Sequence, residues 1–338
     1  MPARGQSQPL SACLLLPAMR FLLRLLLLPA LAWAATGLAL AASPLVTPLQ
    51  LKALSEGGAR IIDIREGPAY ALQHVPGAVS APYGLWRATG SNPGLPPTLP
   101  EMTALVQELG LTADTPVVVV YTGIDATDFG GAARVYWTLK SLGVRQLAIL
   151  NGGLTAWKAA GQPVSDQAAV APKSHWQPQF NPQWLATREQ VRASLEQTGV
   201  LRVDARPAPY YQGRIATDLA HARGTLTGAV NLDSENLFEL GSAALMDTLA
   251  LEDEADKLKA APDEPIITFC NAGHWSATDW FVLSELLGRP DVRMYAGSII
   301  DWSSAAAPLP MDNEPGRWQQ LRYAALSWAH RNLGTKAP

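Results

Sequence analysis

The stretch IITFCNAGHWSATDWFVLSELLG, residues 266–288, decides how this chain is read. A short run of branched and aromatic residues arrives at Cys270. Small and polar residues with one histidine and one tryptophan follow, and apolar residues then recur at helical spacing up to Gly288. This is the pattern of a buried strand, a loop, and a helix closed by a glycine. The helix is expected to begin near Ser276 to Thr278. In parallel α/β sheets ligands bind beyond the carboxyl ends of the strands, so Cys270 stands where such sheets do their chemistry.

The same order of features occurs twice. The first half runs IIDIREGPAYALQHVPGAVSAP (61–82), VVVVYTG (117–123) and AARVYWTLKSLGVRQLAILNGGLTAW (132–157). The second runs RVDARPAPYYQGRIATDLAHARGTLTGAVNLD (202–233), IITFCNAG (266–273) and SATDWFVLSELLGRPDVRMYAGSIIDW (276–302). Each has an apolar run ending in Asp-x-Arg, a Gly-Ala-Val segment, a second apolar run, an amphipathic stretch and a closing Gly…Trp, which points to a duplicated domain. Short branched runs alternating with helical patterns imply an α/β fold with parallel sheets and right-handed crossovers. Residues 45–165 and 184–310 are the two domains, 166–183 the Pro- and Gln-rich linker, and 311–338 a tail expected to be helical. Aligning the halves on their second apolar run sets Thr122 opposite Cys270, so any sulfur chemistry belongs to the second half.

The first forty residues differ from the rest. MRFLLRLLLLPALAWAATGLALAAS combines Arg20 and Arg24 with a long Leu/Ala run and the cleavage pattern Ala39-Leu40-Ala41. Residues 1–41 therefore read as a secretory signal peptide, with Met19 as an alternative start, and the protein is expected to be exported, periplasmic if its source is Gram-negative. A retained membrane anchor is the competing reading. Cleavage removes Arg4, Arg20 and Arg24 and no acid, which moves the net charge from −3 to about −6. That balance argues against nucleic acid and against an anionic membrane surface as partners. Of the two cysteines, Cys13 goes with the leader, and the remaining one cannot staple its own chain.

Cys270 is then either a buried small hydrophobe or a free reactive thiol. The loop Asn271, Ala272, Gly273, His274, Trp275, Ser276 supplies no apolar run to bury it. A short glycine-containing loop leading into a helix N-terminus directs backbone N–H groups and the helix dipole at one atom, an environment that favours a thiolate. The reactive reading is preferred. The five histidines show no metal-ligand spacing.

These elements together resemble the tandem-domain rhodanese sulfurtransferases: the strand, Cys270, loop and helix, the Asp-x-Arg and Gly-Ala-Val segments, the endings LNGGLTAW and YAGSIIDW, and the duplication itself. The resemblance covers roughly residues 45–305. It implies two tandem rhodanese-like domains, each a parallel sheet flanked by helices, with the catalytic cysteine, here Cys270, in the second only. It implies transfer of a sulfane sulfur from thiosulfate or 3-mercaptopyruvate to a thiol or cyanide through a cysteine persulfide, with no cofactor and no metal, by a protein expected to be a monomer.

Two departures bear on the donor. The family's loops carry basic residues, or Gly-Ser, after the cysteine, where this chain has Asn271-Ala272. The family's donor-binding arginine falls at Tyr210 in PYYQG, so Arg214, four residues on, is the candidate substitute. His274 is either a switchable positive charge or a solvated loop histidine. Asp204 and Arg206, like Asp63 and Arg65, read as structural pairs that pin a loop. A phosphatase of the C-x5-R type would need an arginine where Ser276 stands, and a non-enzymatic carrier of sulfane sulfur remains the alternative to an enzyme.

Overall fold

The computed structural model describes Met1 and residues 43–333; the expected signal peptide therefore lies outside the described residues. Four short, branched-rich runs and one flanking strand build the first sheet: β1 (Leu45–Val46), β2 (Arg60–Asp63), β3 (Val79–Ser80), β4 (Val117–Val120) and β5 (Leu147–Leu150), in the order β1-β5-β4-β2-β3. All of its pairings are parallel, and every residue of β4 is buried, as expected of a strand covered by helices on both faces. The second half supplies β6 (Leu201–Asp204), β7 (Thr225–Leu226), β8 (Val230–Asn231), β9 (Ile266–Phe269) and β10 (Val292–Met294). Its parallel sheet, β10-β9-β6-β8, repeats the order β5-β4-β2-β3 of the first. β11 (Met311–Asp312) pairs antiparallel with β7 and ties the start of the tail to the second domain.

The register corrects the sequence alignment by one residue. Asp63 lies beside Val120 and Asp204 beside Phe269, so the residue that follows each strand is Tyr121 in the first half and Cys270 in the second. The next turn agrees: Leu154 N–H donates to the Tyr121 carbonyl at 2.8 Å and Ile299 N–H to that of Cys270 at 3.1 Å. Tyr121, not Thr122, is the counterpart of Cys270. The strand period is two, and counting along an all-valine run leaves its phase undefined until a neighbouring strand fixes it.

The helices that leave β4 and β9 pack against each other. Ala126–Ser141 is buried continuously from Phe129 to Leu139, which small Gly130, Gly131, Ala132 and Ala133 make possible at close range. Against it lies Trp275–Trp280, one residue longer at its start than the sequence suggests, which widens into a π turn over Phe281–Leu286. Phe281 meets Phe129 and Tyr136 edge-on, with ring centroids 5.7 and 5.0 Å apart. Rings of this kind stabilise by about 1.5–3 kcal/mol each on burial, so the two halves share one core. Because each helix starts just past its strand end, this packing brings the two loops face to face.

In each half an Asp-x-Arg pair locks the carboxyl end of an interior strand, β2 or β6. Arg65 Nε and Nη2 donate to the Asp63 carboxylate, and Nη2 also reaches the Gln73 carbonyl at 2.7 Å. Both side chains are buried, so removing the carboxylate strands a guanidinium away from water. Asp63→Ala is expected to lower stability by about 3–5 kcal/mol. The shift of the denaturation midpoint in urea checks this, and a loss below about 1 kcal/mol would show that the pair is not a structural lock.

Candidate active site

β9 delivers Cys270 to the floor of the loop, where the thiol is 1% exposed. His274 N–H donates to its sulfur at 3.2 Å and the Ser276 hydroxyl lies 3.5 Å from it. Ser298, at the start of helix Ser298–Ser303, braces the loop from below. Its hydroxyl accepts the N–H of Cys270 at 3.0 Å and of Gly273 at 3.3 Å and donates to the Tyr295 carbonyl at 2.7 Å. To do so Ser298 adopts φ +54°, where the first half has Gly153 at φ +58°. A left-handed serine costs roughly 1–2 kcal/mol, offset here by three buried hydrogen bonds. Gly273, at φ +65°, has no room for a side chain: a Cβ would meet Arg134 Nη1 at 2.3 Å.

The positive charge of the site comes from the first domain. Arg134, fully buried on helix Ala126–Ser141, donates from Nη1 to the Gly273 carbonyl at 3.0 Å and from Nη2 to that of Gly94 at 2.7 Å. Arg87 donates from Nη2 to the Ala272 carbonyl at 3.1 Å, from Nη1 to the Tyr83 hydroxyl at 2.7 Å and from Nε to the Pro93 carbonyl at 2.8 Å. Each guanidinium holds the outer end of a peptide unit whose inner end faces the site. The peptide that gives its carbonyl to Arg134 gives its N–H, that of His274, to sulfur. The peptide held by Arg87 gives its N–H, that of Gly273, to Ser298. Burial pushes Arg134 down to about 10, with Tyr83 and Cys270 favouring its charge, so it stays protonated at neutral pH. Arg87 and Arg134 went unread in the sequence because they stand in the half without a thiol, far from residue 270.

His274 is neither of the two things its sequence context suggests. It is half-buried, with Nδ1 3.0 Å from the Tyr83 hydroxyl and Nε2 2.6 Å from the Thr127 carbonyl. The carbonyl can only accept, so Nε2 carries the proton and Nδ1 accepts from Tyr83. Burial pushes its pKa down to about 4, and Arg87 and Arg134 push the same way, so the ring is neutral and is no switchable cation at physiological pH. Tyr83 stays a phenol, raised by its own burial.

Asn271 accepts at Oδ1 from Arg206 Nη1 at 3.3 Å, while Arg206 grips Asp204 through Nε at 2.8 Å and the Gly224 carbonyl at 2.7 Å. Trp275 donates to Thr127 Oγ1 at 3.2 Å and meets Tyr210 edge-on at 5.8 Å, so this pair forms an aromatic wall beside the loop. Arg214 makes no hydrogen bond to the loop: its carbonyl accepts from Arg223 at 2.6 Å, and its buried Nε has no hydrogen-bond partner. One acid escaped the sequence reading. Asp279 is fully buried on the helix behind Cys270 with neither oxygen hydrogen-bonded, and burial first, then nearby Asp233, Cys270 and Asp204, pushes its carboxyl well above the usual carboxylate range.

The matching loop of the first half is filled by the chain itself. The Asp128 carboxylate accepts from Gly123 N–H at 2.7 Å and Ile124 N–H at 3.2 Å, and the Tyr121 hydroxyl is spent on the Ala243 carbonyl at 2.7 Å. An internal carboxyl group occupies the N–H groups that a ligand would need.

Because His274 is held neutral in the fold and titrates near 6.5 when unfolded, the unfolded chain binds the extra proton between those values. Stability is then complete above about pH 6.5 and falls as pH drops toward 4. His274→Gln is expected to flatten that part of a stability-against-pH curve. An unchanged slope would show that the ring is not held neutral.

The rhodanese-like domain family model matches residues 47–160 and 187–305. The chain is 32% identical over 273 residues to a thiosulfate sulfurtransferase of Azotobacter vinelandii, covering 78% of this chain and 96% of that one. It is 31% identical over 287 residues to a probable 3-mercaptopyruvate sulfurtransferase of Pseudomonas aeruginosa, at 78% and 96% coverage. The crystal structure of SseA from Escherichia coli, a 3-mercaptopyruvate sulfotransferase of the rhodanese fold, superposes with a TM-score of 0.67 at 24% identity, over 76% of this chain and 99% of that one. With both matched segments coinciding with the two halves described above, the chain belongs to the rhodanese-like domain family.

Proposed function

We propose that the protein is a sulfurtransferase working through a persulfide on Cys270. The observation that carries this is the Cys270 sulfur, seated beneath the His274 N–H and the Ser276 hydroxyl in a loop held between two guanidiniums. Relatives named as thiosulfate and 3-mercaptopyruvate sulfurtransferases support the same reaction class. With thiosulfate, the Cys270 thiolate attacks the outer sulfur, the S–S bond of the donor breaks, and its electron pair leaves with sulfite. The new persulfide anion keeps the single charge the thiolate had. A thiol or cyanide then takes the outer sulfur and returns the thiolate. The His274 N–H already rests on the Cys270 sulfur, so it meets the charge of the persulfide without reorganising.

For the donor we favour thiosulfate or another small sulfur anion. The loop itself carries no cation, but Arg87 and Arg134 put two charges behind it, in a setting where burial weakens screening. We also propose that the protein is exported, on the strength of the Arg-flanked Leu run and Ala39-Leu40-Ala41.

Incubation with thiosulfate is expected to add the mass of one sulfur atom to the chain and none to Cys270→Ser. Repeated release of sulfite in the presence of cyanide is expected of an enzyme, and release that stops at one sulfite per chain would assign the protein to the carrier class instead. Arg87→Gln is expected to raise KM for thiosulfate about ten- to hundredfold, the cost of one charge-assisted contact. KM is expected to show no inflection attributable to His274 above about pH 5.5, since that ring is already neutral. A KM unmoved by Arg87→Gln would place the anion away from these guanidiniums.

A further inference from the structure

The last described helix, Arg317–Leu333, turns its apolar side outward. Trp318 is 85% exposed, Leu321 63%, Trp328 56% and Leu333 66%. Positions 318, 321, 325 and 328 recur every three or four residues and form one stripe. Tyr323, on the opposite side, is half-buried and interacts with Arg223 of the second domain. Where its contact with the second domain is described, the helix meets it through Tyr323, and the stripe faces the other way. Single exposed apolar residues are ordinary; a contiguous stripe with two tryptophans marks a surface that something covers.

Charge says what covers it. From residue 317 onward the sequence carries Arg317, Arg322, Arg331 and Lys336 and not one Asp or Glu, in a chain of net charge −3. Arg317 and Arg322 are exposed and flank the stripe. We infer that this helix docks flat on an anionic phospholipid surface, with Trp318, Leu321 and Trp328 in the acyl boundary and the arginines at the headgroups. A second copy fits poorly, because two such stripes face to face would bring Arg317 and Arg322 of both copies together with no acid between them. No helix among the described residues is long and apolar enough to cross a membrane, and arginines flanking the stripe suit a helix lying on a bilayer. This revises the expectation drawn from net charge. A surface responds to charges within about one Debye length, roughly 8–10 Å, and the helix itself carries no acid.

The test is hydrogen exchange of the 317–333 segment in the full chain, read by peptide mass, so that binding through the Leu-rich leader does not enter the readout. On vesicles of phosphatidylcholine with phosphatidylglycerol, exchange of this segment is expected to slow at least tenfold, and on phosphatidylcholine alone it is expected to change little. Each of Arg317→Gln and Arg322→Gln is expected to weaken the effect about fivefold. Trp318→Ser with Trp328→Ser should abolish it while leaving sulfur transfer in solution unchanged. Equal exchange on both vesicles, or insensitivity to these substitutions, overturns the proposal. So does protection that appears without lipid as protein concentration rises, which assigns the stripe to a second copy.

Discussion

The hydrogen bond from Arg134 to the Gly273 carbonyl is the contact on which the site depends. A peptide unit is planar and rigid, so fixing its carbonyl fixes the opposite N–H, and here that N–H belongs to His274 and rests on the Cys270 sulfur. The guanidinium is fully buried and its Nε has no partner, a costly arrangement that persists because the surrounding core determines it. The loop is thus shaped by the first domain as much as by its own glycine. Gly94 and Gly130 make room for that: a Cβ on Gly94 would come within 2.9 Å of Ala272 Cα, and one on Gly130 within 2.9 Å of the His274 ring.

This dependence explains why a duplicated fold keeps a half with no thiol. The two halves retain the same strand order and the same Asp-x-Arg locks, yet their loops have diverged in opposite senses. In the first, the Asp128 carboxylate closes the loop on itself and Tyr121 fills the cysteine position. In the second, Ser298 stands where the first has Gly153, and its left-handed backbone sets a hydroxyl that braces Cys270 and Gly273. One half has become a scaffold that carries cations, and the other a loop that receives them. Neutral His274 fits the same division, since it adds no charge to those of the two guanidiniums.

The tail shows the same difference between totals and placement. Net charge is a sum over the chain and describes solubility and long-range steering. Recognition at a surface depends on which charges lie together, and Arg317, Arg322 and Arg331 share one helix that carries no acid.

Much of this was legible in the residues alone. Branched runs, helical spacing and the repeated order of motifs determined two α/β halves, and a strand ending at Cys270 before a glycine loop determined where chemistry would be sought, because these signals are local and periodic. The phase of VVVVYT was not legible: only pairing with Ile62 and Asp63 shows that Tyr121, not Thr122, faces the role of Cys270. Nor were Arg87, Arg134 and Tyr83, which lie more than a hundred residues from the loop they hold, nor the neutrality of His274, which follows from burial between Tyr83 and Thr127. Sequence fixes which groups a strand end presents; their charge states and partners follow from desolvation and from contacts between distant segments, and those exist only once the two halves have packed.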